Sequence, residues 1–91
     1  MNTSNRCHQI GVYENLAVNL RTLRTINGLS QESVSQLVHT SRKHYCNCEN
    51  GSAFPDLVTV CILADLYRVQ IDALITAKIS REAFIFLCRQ K

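Results

Sequence analysis

Four side chains between residues 42 and 47 carry hydrogen-bond donors that could read the edges of bases. Arg42, Lys43 and His44 follow one another, and Asn47 lies one helical turn later, on the face of Lys43 and His44. Arginine and lysine can donate to guanine, and asparagine can pair with adenine through two hydrogen bonds. On a helix, this group of side chains suits the major groove of DNA. Spacing alone leaves open the alternative that the group is a solvated cationic surface.

The elements that would position this group are predicted from chain breakers and helical periodicity. The chain has one proline, Pro55, and three glycines, and its apolar residues recur at spacings of three and four. This pattern predicts an all-α fold of five helices with an extra C-terminal helix. Ranges of about 12–26, 41–49, 71–76 and 80–89 are predicted for the first, third, fifth and last helices. The second and fourth helices are predicted to begin after Ser30 and Asp56.

Apolar stripes on these helices predict the core. Ser41 is a further N-cap type, and the Asn27-Gly28 and Asn50-Gly51 pairs are typical helix ends. The residues predicted to face inward on the first, second and fourth helices are Tyr13, Leu16, Leu20, Leu23, Ile26, Val34, Leu37, Val38, Leu57, Val60, Cys61, Leu63, Ala64 and Tyr67.

Composition limits the class of protein. The 91 residues suffice for one domain, 46% of them are hydrophobic, and the net charge of +3 does not by itself indicate nucleic acid. No apolar run approaches the ~18 residues of a membrane helix, so no membrane partner is expected. The N-terminal residues lack the apolar core of a secretory signal. Five irregularly spaced cysteines favour reduced thiols, so we expect a cytoplasmic protein.

The cysteines are the residues whose types and spacing could bind a metal ion or react. Cys46 and Cys48 lie two residues apart, which on a helix points them about 200° apart, so no metal site is predicted. Cys46, beside Arg42 and Lys43, is a candidate for a redox-sensitive thiol. Paired carboxylates, a nucleophile with an oriented base and a glycine-rich phosphate loop are all missing from the sequence. We therefore expect neither an enzyme nor a cofactor.

An ordered series of short segments resembles the Cro and lambda-repressor type of helix-turn-helix, also called the xenobiotic-response-element family. The resemblance covers about residues 13–76 without a gap. It implies a compact five-helix, lambda-repressor-like DNA-binding domain at about 12–76, with the helix-turn-helix at about 30–51. The segments that carry it are Leu29-Ser30-Gln31-Glu32, Ser41-Arg42, Glu49-Asn50-Gly51 followed by Pro55, and Val69-Gln70-Ile71-Asp72-Ala73-Leu74-Ile75.

The resemblance implies roles for residues at matching positions. Contacts to the DNA phosphates are implied for Gln31, Ser41 and Asn50. A salt bridge between the first and third helices is implied for Arg24 and Glu49. We expect that pair to be partly buried. The residues with implied contacts to bases are Arg42, Lys43, His44 and Asn47, of which His44 has phosphate as its alternative.

The chain also departs from the family at several positions. His39 and Arg68 stand where the family usually has glycine in a turn, so both are expected to adopt a conformation that other residues enter at some cost. Tyr45 and Cys48 replace the aliphatic residues typical of the third helix's inner face. We expect the core to be adjusted around the larger Tyr45.

Assembly is predicted from the two ends of the chain. Residues 1–11 are polar and aperiodic and are predicted to form a flexible arm. Residues 77–91, predicted as the C-terminal helix, contain the apolar residues Phe84, Phe86 and Leu87. This group either packs on the first and fifth helices or forms a dimer interface, and we predict the homodimer. The expected function is that of a small dimeric transcriptional regulator, more a repressor than an activator, on a near-palindromic operator. The alternative is a protein-interaction module, such as an antitoxin that binds a toxin, or an antirepressor.

Overall fold

Five α-helices make up most of the chain that the structure describes. The computed structural model describes the backbone of residues 3–79 and the side chains of residues 14–79. The all-α prediction is confirmed, and the described residues contain no strand. The last helix predicted at about 80–89 lies outside the described residues. The helices are α1 (Thr3–Ile26), α2 (Gln31–Leu37), α3 (Arg42–Asn50), α4 (Leu57–Tyr67) and α5 (Ile71–Thr76).

The start of α1 differs from the sequence prediction. Residues 3–11, predicted as part of a flexible arm, belong to this helix, which begins at Thr3 rather than near residue 12. The segment contains no proline, and one glycine inside a helix, Gly11, costs only about 1 kcal/mol relative to alanine. The predicted helix start near residue 12 was wrong because apolar periodicity reports which face of a helix is buried, and a polar helix has no such signal.

The starts of α2, α3 and α4 follow from local capping chemistry. Ser30 Oγ accepts a hydrogen bond from the Ser33 N–H at 3.0 Å. Ser41 Oγ accepts from the His44 N–H, also at 3.0 Å. The Asp56 carboxylate accepts from the backbone N–H at residue 59 at 2.8 Å. Each cap satisfies an amide that has no partner within its own helix, so these three predicted caps are confirmed.

Four helices end in the same two-bond turn, in which the amides that follow the helix bond back to carbonyls of its last turn. The turn needs one residue with positive φ. Gly28 (69°) and Gly51 (81°) fill this place after α1 and α3, whereas His39 (61°) and Arg68 (59°) fill it after α2 and α4. The left-handed conformation expected for His39 and Arg68 is therefore confirmed, at a cost of roughly 1–2 kcal/mol for each non-glycine residue.

The core contains residues of all five helices, and three residues predicted to belong to it lie at the surface. Leu57 is 73% exposed, Leu37 is 50% exposed, and Cys61 is also exposed. Because α4 is apolar around most of its circumference, periodicity could not select its buried face. The fully buried apolar side chains are Leu16, Leu20, Leu23, Val34, Val38, Tyr45, Cys48, Val60, Leu63, Tyr67 and Leu74.

Asparagine side chains on α1 attach the end of α5 to the rest of the fold. Asn19 Nδ2 donates to the carbonyl oxygens of Leu74 and Ala77, both at 2.7 Å, and Asn19 Oδ1 accepts from the Ile79 N–H at 3.0 Å. Asn15 Nδ2 donates to two further carbonyls of the same segment. The side chain of Asn19 is fully buried. It thus satisfies carbonyls that a helix end leaves without partners.

Candidate nucleic-acid interface

The α2–turn–α3 unit, residues 31–50, presents one side of α3 to solvent and anchors the other in the core. Tyr45, Cys48 and Glu49 are buried against the remaining helices. Arg42 and Lys43 are exposed on the first turn of α3. This arrangement leaves the N-terminal half of α3 accessible while its inner face is held rigidly.

The four residues predicted to contact bases lie on the accessible side of α3. Arg42 and Lys43 are exposed, and His44 and Asn47 are half-buried. His44 Nε2 lies 3.8 Å from Cys48 Sγ, so one edge of its ring faces the protein. The structure thus brings these four residues together on one helix. Arg42 and Lys43 are the most exposed of the four, and their cationic groups suit base edges or phosphates.

The three residues predicted to contact phosphates lie at different places around α3. Ser41 is exposed and caps the start of the helix. Asn50 is exposed at the opposite end, about 12 Å along the axis from Arg42 at 1.5 Å per residue. Gln31 begins α2 and is half-buried, with its side-chain amide in contact with α3. The three therefore flank α3 rather than forming one cluster.

A buried ion pair connects α1 to the end of α3. Arg24 Nε donates to Glu49 Oε2 at 2.7 Å and Nη2 donates to Oε1 at 3.2 Å, while Nη1 donates to the Leu29 carbonyl at 3.0 Å. The Glu49 side chain is fully buried and that of Arg24 is 20% exposed. The two partners predicted from the sequence are therefore in bidentate contact. This geometry holds the end of α3 against α1.

The ion pair determines the charge states of both partners. Burial alone raises the pKa of the Glu49 carboxyl, but interactions with Arg24, Tyr45 and Gln31 outweigh it and the pKa is lowered. The hydrogen bond to Glu49 in turn raises the pKa of the Arg24 guanidinium. Glu49 is therefore a carboxylate at neutral pH despite its complete burial.

Two tyrosine rings pack beside this ion pair. Tyr45 and Tyr67 are each 1% exposed, and the Tyr45 hydroxyl lies near the Glu49 carboxylate and the Tyr67 hydroxyl. Burial raises the pKa of Tyr67 to about 12, and it also raises the pKa of Tyr45. The large ring of Tyr45 is thus accommodated in the core, where the sequence predicted an adjustment.

The two cysteines of α3 have different surroundings. Cys48 is buried, and burial raises the pKa of its thiol to about 11. Cys46, the candidate redox-sensitive thiol, is half-buried, and its thiol donates to Gln31 Oε1 at 3.1 Å. Sequence reasoning missed this contact because the two residues are fifteen positions apart and on different helices.

Metal binding and membrane insertion are not suggested by the described residues. Within the part that the structure describes, no three histidine, cysteine or acidic side chains are placed to hold a metal ion. None of the described helices combines the length and apolar character needed to cross a membrane. The surface of the α2–turn–α3 unit remains the candidate site.

Comparison with known proteins supports the same region. A family model described as a helix-turn-helix domain matches residues 15–76, which is more than half of the chain and extends from within α1 to the end of α5. No curated protein and no solved structure is significantly similar to the chain. The match does not identify a type within helix-turn-helix domains, so the finer assignment to the Cro and lambda-repressor type stays a prediction.

Proposed function

Because the chain belongs to the helix-turn-helix domain family, whose members bind DNA, we propose that it regulates transcription by placing α3 in the major groove of double-stranded DNA. The observation that carries this proposal is the asymmetry of α3. Its inner face is buried at Tyr45, Cys48 and Glu49, and Arg42 and Lys43 are exposed on its first turn. A helix held in this way can enter the groove with its N-terminal residues toward the bases.

The proposed contacts divide into base reading and phosphate binding. Base edges are contacted by Arg42, Lys43 and Asn47, with His44 at a base or a phosphate. Phosphates are contacted by Gln31, Ser41 and Asn50, which flank α3 and would set its register on the duplex. Arg24 and Glu49 touch no DNA in this proposal, and they act by orienting α3.

The proposed regulator is a cytoplasmic homodimer that represses by occupying an operator. One module of this size buries little DNA surface and reads few bases, so two copies on a near-palindromic site would supply the missing specificity. The proposed interface contains Phe84, Phe86 and Leu87, which lie outside the described residues. Their apolar character supports an interface, since free apolar clusters of this kind are unfavourable in water.

Substitution of Phe84→Asp is expected to convert the dimer to a monomer, because a charge would be buried in an apolar interface. Sedimentation equilibrium at micromolar concentration measures the mass of each form. Phe84→Leu is the matched control, since it keeps an apolar side chain and should leave the dimer intact. A monomeric wild-type protein would contradict the proposed dimer, and an unchanged mass for Phe84→Asp would exclude Phe84 from the interface.

Selection from a random-sequence duplex library tests the proposed function directly. Enrichment of a near-palindromic sequence supports the regulator. The second candidate is a protein-interaction module such as an antitoxin or antirepressor, and the exposed apolar side chains of α4 favour it, with Leu57 73% and Val58 68% exposed. Absence of enrichment together with a stable protein partner in pull-down experiments would support this second candidate.

Replacement of Arg42 by alanine is expected to weaken binding to the selected duplex by about 1–3 kcal/mol, the usual value of a bidentate contact to guanine. The same change should relax specificity at one base pair. Arg21→Ala is the matched control, because Arg21 is an exposed arginine on α1. Gel-shift titration at one salt concentration measures both variants, and wild-type affinity in Arg42→Ala would remove Arg42 from the base-reading group.

A further inference from the structure

The side-chain amide of Gln31 is held at both of its polar atoms by α3. Gln31 Nε2 donates to Glu49 Oε1 at 3.0 Å, and the Cys46 thiol donates to Gln31 Oε1 at 3.1 Å. Cys46 and Glu49 are three residues apart on α3 and therefore lie on neighbouring positions of one helix face. The first residue of α2 is thus bonded at two points to the proposed recognition helix.

These two contacts permit only one orientation of the amide. In the reversed orientation the amide oxygen would face the Glu49 carboxylate, which is acceptor-only, and the charge-assisted hydrogen bond would be lost. Glu49 cannot turn away, because its side chain is fully buried and both of its oxygens are bonded to Arg24. The thiol of Cys46 supplies the matching donor at the oxygen end.

One amide hydrogen of Gln31 remains for another partner. An amide nitrogen carries two hydrogens, and the bond to Glu49 uses one of them. The other has no acceptor among the described residues, and Gln31 is half-buried at the surface of the α2–turn–α3 unit. We propose that Cys46 and Glu49 are positioning residues that hold the Gln31 amide so that this second N–H donates to a phosphate of the DNA backbone.

The inference rests on the proposed function and adds a mechanism to it. A free glutamine side chain loses rotational freedom when it binds a phosphate, and that loss weakens the contact. Gln31 has already lost this freedom in the unbound protein, so more of the hydrogen-bond energy remains for binding. Because glutamine is neutral, the contact releases no counterion and should not alter the salt dependence of binding.

A double-mutant cycle between Gln31 and Cys46 tests the proposal. The probe is a mixed-sequence DNA duplex of about three helical turns. Gln31→Ala is expected to lower affinity by about threefold to tenfold, the equivalent of one hydrogen bond. Cys46→Ala should lower affinity by a smaller factor in the wild-type background and by none in the Gln31→Ala background. Cys46→Ser retains a donor and should lose less affinity than Cys46→Ala.

Cys46 is the informative partner because Glu49 variants also break the buried ion pair and endanger folding. Chemical denaturation of each variant establishes that the folded fraction is unchanged, and the salt slope should stay at the wild-type value in all of them. The inference would be overturned, with DNA binding intact, if the affinity losses of Cys46→Ala and Gln31→Ala were additive. It would also be overturned if Gln31→Ala left the affinity unchanged. Failure of the wild-type protein to bind any duplex would instead overturn the proposed function.

Discussion

Replacement of Arg24 by methionine is expected to destabilise the folded chain by about 3–5 kcal/mol, because it leaves a buried carboxylate without its counter-charge. Glu49 is fully buried, and Arg24 supplies two of the hydrogen bonds to its carboxylate. Native domains of this size are stable by roughly 5–14 kcal/mol in total, so the loss is a large share. Methionine keeps the apolar stem of arginine, which isolates the effect of the charge. Chemical denaturation at neutral pH measures it.

The matched control is Arg21→Met, one helical turn earlier on α1. Arg21 is exposed, and a surface substitution of this kind should change the free energy of unfolding by no more than about 0.5 kcal/mol. A loss of less than about 1 kcal/mol for Arg24→Met would mean that the pair behaves like a solvated surface ion pair. That result would contradict the role assigned to the pair in holding α3.

The same ion pair predicts how stability depends on pH. The folded-state pKa of Glu49 lies below its ordinary value of 4.5, so its contribution is present above that value and is lost as the pH falls toward the folded-state pKa. In Arg24→Met, burial without the guanidinium should raise the pKa of the same carboxyl. The variant should then lose stability as pH rises rather than as it falls. The difference between the two proteins is therefore expected to be largest at neutral pH and to shrink below about pH 4.5; a constant difference would contradict it.

Local chemistry explains why much of the fold could be predicted from the sequence. An N-cap needs one polar oxygen next to a helix start, so Ser30, Ser41 and Asp56 were identifiable from type and place. The turns at His39 and Arg68 were identified through the resemblance to a family that usually has glycine at these positions, and both residues adopt the positive φ of such a turn. An N-cap, by contrast, depends on a few neighbouring residues, which a single sequence displays directly.

Other features depend on partners distant in the chain, and these were missed. The thiol of Cys46 bonds to Gln31 across fifteen residues, and Asn19 bonds to Ile79 across sixty. Neither separation has a periodic signature. The exposure of Leu57 was missed for another reason, since an element apolar on nearly every side does not reveal which side is buried.

The contacts of the candidate site with DNA remain predictions for a further physical reason. The structure places Arg42, Lys43 and Asn47 on an accessible helix face, but which bases they select depends on the shape and sequence of the duplex as well as on the protein. Sequence and structure together therefore define a candidate surface for DNA binding, and selection from a duplex library must identify the sequence that it binds.

Replacement of Asn19 by leucine is expected to destabilise the chain by about 2–4 kcal/mol, because backbone groups at the end of α5 lose buried partners. Asn19 accepts one hydrogen bond and donates two, and leucine of similar size can do neither. Chemical denaturation measures the loss. Asn15→Leu is the matched control: Asn15 also bonds to carbonyls of this segment but is partly exposed, so water can replace it and a smaller loss is expected.

The same substitution should act first on α5 rather than on the whole fold. A six-residue helix is not stable by itself in water, so α5 depends on its attachment to α1. Hydrogen exchange should therefore show the amides of α5 losing protection in Asn19→Leu while those of α3 remain protected. If both helices lost protection equally, Asn19 would be stabilising the core as a whole. If neither did, the three hydrogen bonds of Asn19 would be replaceable, and packing at Leu74 alone would hold α5 in place.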